Sequence, residues 1–193
     1  MELILGISIV SLMTLRIVTN FSYSVILIAI TSLVLSLIYF FLSFGLLNEI
    51  RLRNIFKKES YAGKSSWRII GTILTGLVLS LVVIYSLFKF MRWPFGNEGL
   101  RISLYGLIIV LVITIIKLVL SKNKFYRNLL IRLGIIGLFA NLLYLTSEES
   151  ILEMKYRNYP EYVDAEKKLM KDPMNKELQE LVRKERIKMD KTE

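Results

Sequence analysis

The chain has 193 residues, 54% of them hydrophobic, with a mean hydropathy of +0.52 and a formal net charge of +10. It contains neither cysteine nor histidine, which excludes disulfides, thiol chemistry, His- or Cys-ligated metals and haem, and acid–base catalysis by histidine. The charge is unevenly divided: residues 1–147 carry 15 Lys+Arg against 4 acids, a surplus of 11, while residues 148–193 carry 11 against 12.

A spanning helix needs about 20 apolar residues to cross roughly 30 Å of hydrocarbon, and five stretches approach that. The first is 3–18, with Arg16 near its end, where its long stem allows the charge to snorkel to an interface. The only charge ahead of this run is Glu2, so a cleaved signal peptide, with its basic leader, is not expected. The second stretch, 25–47, is the most uniformly apolar. The third, 69–88, follows a polar, basic loop. The fourth runs over 102–120, with Lys117 either ending the span or snorkelling past it. The fifth, 129–145, is the weakest, with Arg132 near its start.

Basic residues cluster between spans two and three (Arg51, Arg53, Lys57, Lys58, Lys64 and Arg68) and between four and five (Lys117, Lys122, Lys124, Arg127 and Arg132). The opposite face offers only Arg16, Lys89, Arg92 and Arg101. The basic loops therefore read as cytoplasmic rather than as a nucleic-acid site, and holding anionic lipid headgroups is a second use for that charge. Five spans place the tail in the periplasm; should 129–145 fail to span, the tail is cytoplasmic.

From Ser147 the chain turns polar. Asn158-Tyr159-Pro160-Glu161 reads as a helix start, since proline tolerates the first turn. Asp172-Pro173 repeats the signal, with Asp172 as the cap. Leu178, Leu181, Val182 and Met189 then recur at helical spacing among charges. Residues 148–193 are expected to form two or three short amphipathic helices in a hairpin, leaning on a partner, a membrane surface or another copy.

No acid falls in mid-span. Glu98 reads as a helix N-terminal carboxylate favoured by the dipole. Small and hydroxyl residues recur along helix faces: Thr72, Gly76 and Ser80 on the third span, Ser32, Ser36 and Ser43 on the second, and Gly134, Gly137 and Asn141 on the fifth. In lipid such stripes let helices approach and hydrogen-bond, so they are read as packing positions, with a polar pathway as the alternative. No nucleotide loop, metalloprotease helix or serine-hydrolase elbow is present. No catalytic residue, cofactor or metal is expected, and the chain is not expected to be an enzyme.

Between spans three and four runs Leu87-Phe88-Lys89-Phe90-Met91-Arg92-Trp93-Pro94-Phe95-Gly96, an interfacial tryptophan followed by proline and glycine to turn the chain. This string resembles the periplasmic turn of the transmembrane hairpin in the gliding-motility and type IX secretion family GldL of Bacteroidota inner membranes. That turn reads approximately Phe-Lys-x-x-His-Trp-Pro-Gly. Phe88, Lys89, Trp93 and Pro94 match, Arg92 stands in place of the histidine, and Phe95 is inserted before Gly96. The resemblance covers residues 70–120, about a quarter of the chain, and implies a related hairpin in a bacterial inner membrane. The family's second helix carries an acid on its proton pathway; Ile102 to Leu120 has none, so that pathway is not implied here.

The sequence thus predicts an all-α, multi-pass transmembrane bundle of about five spans in residues 1–147, followed by a helical polar tail. The expected partners are the lipid bilayer and either further copies or another membrane protein, with no nucleic acid. The expected role is a noncatalytic scaffold or accessory subunit of a membrane complex, with a small transporter or channel as the alternative.

Overall fold

The computed structural model describes residues 2–19 and 23–192, with side chains as far as Met189, and contains no strand among them. Eight α-helices follow in order: α1 (Glu2–Thr19), α2 (Ser24–Leu46), α3 (Ser66–Met91), α4 (Gly96–Ser121), α5 (Lys124–Leu145), α6 (Glu148–Lys155), α7 (Pro160–Lys171) and α8 (Lys176–Thr192). The first five are long and apolar enough to cross a membrane. Their outer faces keep large apolar side chains uncovered, Ile102 at 65% and Val119 at 68% exposure among them. Such a surface is untenable in water and ordinary in hydrocarbon, where a helix also satisfies its own backbone. The protein is a multi-pass membrane protein.

Two helices start earlier than their apolar runs suggest. α4 begins at Gly96 rather than near residue 102, because polar residues extend a helix freely close to an interface and Glu98 suits its first turn. α5 begins at Lys124 rather than 129. There Asn123 Oδ1 accepts the Phe125 N–H at 2.9 Å, capping a helix that continues through the basic residues.

The chain divides into two compact units. One comprises Met1–Ile7 and Ala29–Leu145, the other Ser8–Ile28 and Thr146–Glu193. The boundary expected at 147/148 therefore marks the tail, but the tail shares its unit with most of α1 and the first turn of α2.

In the larger unit α3 is the most enclosed span, packed along both α4 and α5. Ser65 caps its start by accepting the Arg68 N–H at 3.3 Å. At its end Arg92 adopts the left-handed conformation (φ 59°), and the Trp93 N–H reaches back to the Phe88 carbonyl at 2.9 Å. The loop joining α2 to α3 folds on itself: Tyr61 donates to the Ile55 carbonyl at 2.6 Å and stacks on Phe44. Burial raises the Tyr61 hydroxyl above its ordinary pKa.

In the smaller unit the tail forms three helices. Leu152, Tyr162, Val163 and Met189 make a small core, with Tyr156, Tyr159, Met170 and Val182 against it. Pro160 opens α7 as expected. The second signal is corrected. Asp172 ends α7 instead of starting α8; Asn175 caps α8, its Oδ1 accepting the N–H groups of Glu177 at 3.0 Å and Leu178 at 3.3 Å. Asp172 accepts from the Asn175 amide at 3.2 Å, so the Asp-Pro pair shapes the turn that precedes the cap. Arg16 does not snorkel into the open. It is buried, with its guanidinium 5.9 Å from the centre of the Tyr156 ring, an attraction between cation and ring face.

Candidate functional site

Three polar features lie within the larger unit. The first is a seam between antiparallel α2 and α3. Asn48 donates to Thr72 Oγ1 at 3.1 Å, Ser43 lies against Gly76, and Ser36 meets Ser80 at 2.8 Å between hydroxyls. Rising numbers on one helix thus oppose falling numbers on the other, which keeps the seam in register. Gly76 is at closest approach: a Cβ there would strike Ser43 and come within 2.6 Å of the Tyr39 carbonyl oxygen. The predicted stripe of Thr72, Gly76 and Ser80 is buried, and its partner is a helix of the same chain. The stripe on α5 divides: Gly137 faces α4, where a Cβ would stand 2.8 Å from Leu107. Gly134 and Asn141 are exposed, and no atom beyond its own turn lies within 4 Å of a Gly134 Cβ.

The second feature could not be read from the sequence. Arg132 sits two turns inside α5 because that helix begins at Lys124. Its guanidinium meets Glu2 Oε2 at 3.3 Å and the Leu46 carbonyl at 3.3 Å. Tyr39, 1% exposed, donates to the other Glu2 oxygen at 2.6 Å. One acid, one cation and one phenol thereby join α1, α2 and α5. A carboxylate and a guanidinium in this setting are tolerable because each has the other and further hydrogen bonds. In the sequence Arg132 stands near the start of its apolar run and Glu2 at a boundary, so neither charge points to the other. Nearby, Asn128 donates to Glu49 at 2.7 Å.

The third feature is the turn from α3 to α4. Lys89 is 4% exposed and its ammonium donates to Asn97 Oδ1 at 2.9 Å. Phe88 meets the Trp93 ring edge-to-face at 5.1 Å between centres, and Pro94 lies exposed in the turn. Phe95 has φ 62°, and a Cβ on Gly96 would come within 2.7 Å of α3 backbone atoms. Only glycine permits that approach. Glu98 is exposed in the first turn of α4.

No family model, curated protein or solved structure matches this chain. Among the described residues no three acidic side chains are grouped to hold a metal. The larger unit also holds a groove of about 400 Å³ between α3, α4 and the start of α5, walled mainly by Leu, Ile and Val side chains and by Gly71 and Gly106.

Proposed function

We propose that the protein is a noncatalytic integral membrane scaffold, an accessory subunit of a membrane complex. The observation that carries this is how its intramembrane polar groups are used. Asn48, Thr72, Ser36 and Ser80 bond across the α2–α3 seam, and Glu2, Tyr39 and Arg132 bond to one another. Polar groups engaged in this way fix helix positions and leave a lipid-compatible exterior on which other membrane proteins can assemble. Crosslinking in native membranes followed by affinity purification and mass measurement tests it. A defined complex, homomeric or with a second membrane protein, is expected; a lone chain with solute flux in proteoliposomes would overturn the reading.

The proposal extends to a bacterial inner membrane with the basic loops in the cytoplasm and the tail in the periplasm. The basic-loop imbalance supports it. So does the Arg16–Tyr156 contact, which brings the far end of α1 and the tail to one place; four crossings, α2 to α5, join them. A place beside gliding-motility or type IX secretion machinery rests solely on the turn formed by Phe88, Lys89, Trp93, Pro94 and Gly96.

A small transporter or channel is the second reading, favoured by the Glu2–Tyr39–Arg132 cluster, since ionisable groups within a bundle often line ion pathways. Under it, Glu2→Gln abolishes flux and leaves assembly intact. Under the scaffold reading, no flux exists to lose.

A further inference from the structure

The groove between α3, α4 and α5 has two different ends. From Trp67 to Val78 it follows twelve residues of α3, a rise of about 16 Å at 1.5 Å per residue. That is about half of a roughly 30 Å hydrocarbon core, the depth of one leaflet. Its inner end is apolar and owes its width to glycine. There a Cβ on Gly106 would touch only Val78, at 3.5 Å; nearer the rim, one turn from Trp67, a Cβ on Gly71 would meet nothing within 4 Å. Its outer end is aromatic and cationic, formed by Trp67, Arg68, Lys117, Phe125 and Tyr126. Trp67 is 83% exposed, as an interfacial tryptophan should be.

The two cations at the rim are held differently. Arg68 is fixed: its Nε donates to Asn48 Oδ1 at 2.7 Å, and its guanidinium carbon lies 3.7 Å above the centre of the Phe125 ring. Lys117 is exposed and, among the described residues, has no acid within ion-pair distance. Lys122, Lys124 and Arg127 follow, all exposed. Of the acids on this side, Glu49 is bonded by Asn128 and Glu2 by Tyr39 and Arg132, while Glu59 lies exposed in the loop between α2 and α3.

We propose that the groove holds an acyl chain of an anionic phospholipid, with its headgroup phosphate on the Arg68–Lys117 rim. The shape and the charge agree. An apolar slot one leaflet deep takes a chain, and a basic pocket at the membrane interface takes an anionic headgroup.

The test is electron paramagnetic resonance on the purified full chain in nanodiscs, using spin-labelled phosphatidylglycerol and phosphatidylcholine. A motionally restricted component favouring phosphatidylglycerol is expected. Lys117→Gln should lower that preference about fivefold. Gly106→Phe should remove the excess of restricted phosphatidylglycerol over phosphatidylcholine by filling the slot, leaving the unselective lipid on the outer faces of the helices. Should Gly106→Phe fail to fold, Gly71→Phe puts a ring into the outer half of the slot from the α3 wall. Equal restriction of the two lipids, or a phosphatidylglycerol preference unchanged by a folded slot-filling variant, would overturn the proposal. So would efficient disulfide formation between two Gly106→Cys copies, since a second copy would then cover the groove.

Discussion

Gly76 is where one methyl group matters most. A Cβ there has no room against Ser43 and the Tyr39 carbonyl, and both lie on a neighbouring helix held by the Ser36–Ser80 and Asn48–Thr72 contacts. Gly76→Ala should destabilise the bundle by about 1–3 kcal/mol through overpacking, read as a lower thermal midpoint in detergent. Ser80→Ala should cost much less, about 0.6 kcal/mol, the average for an interhelical polar bond in a membrane. Similar midpoints for Gly76→Ala and wild type would refute the close approach. At the Glu2–Arg132 pair the expected pattern is non-additive. Either Arg132→Met or Glu2→Gln leaves a charge inside the bundle without its counterion and should cost on the order of 2 kcal/mol. That is below the ~3–5 kcal/mol of a fully buried pair, because both side chains keep some exposure, 30% and 17%. The double variant should recover part of the loss; strict additivity in that cycle would mean the two charges do not interact.

At the scale of the element, span existence was legible and span pairing was not. Hydropathy over some twenty residues is a local property, so α1 to α3 fall within three residues of their apolar runs. Helix starts at polar residues carry no hydropathy signal, which is why α4 and α5 reach back into charged sequence. The Thr72-Gly76-Ser80 stripe was legible as a packing face from its spacing, but its partner depends on how two distant helices meet, which no local pattern encodes. In the tail, Pro160 announced α7, while Asp172 and Asn175 both had capping chemistry and only the turn between them decided which served. The tail also allows a pH prediction. Hydrogen bonding to Lys168, and its charge, hold the Asp164 carboxyl below its ordinary pKa, while Glu153 and Glu185 raise Lys167 and Lys188. The carboxylate's stabilisation is present above the unfolded value of about 3.9 and lost as pH falls through the lower folded value. The lysines' stabilisation is present below about 10.4 and lost as pH rises through their higher folded values. Amide hydrogen exchange over α6 to α8, corrected for its intrinsic pH dependence, should therefore show constant protection between about pH 5 and pH 9. A transition near neutrality would show that some other group governs the tail.

For the molecule as a whole, the side of the membrane reached by each segment is the testable quantity. The absence of native cysteine allows single sites to be labelled one at a time. In intact cells stripped of outer layers, an impermeant thiol reagent should react with Phe95→Cys and Asn158→Cys and spare Glu59→Cys until the membrane is opened. Labelling of Glu59→Cys alone would invert the orientation, and protection of Asn158→Cys alone would remove one crossing between α1 and the tail. The turn at Lys89 bears on how such an arrangement is built. Its ammonium is covered by protein and bonded to Asn97, eight residues further along the chain. Asn97 is made after Lys89, so the ammonium gains this partner only once the first turn of α4 exists. The same bond that closes the turn is therefore the last step in covering the end of α3, and Asn97→Ala should leave a lysine that reaches for the interface instead of one held under protein.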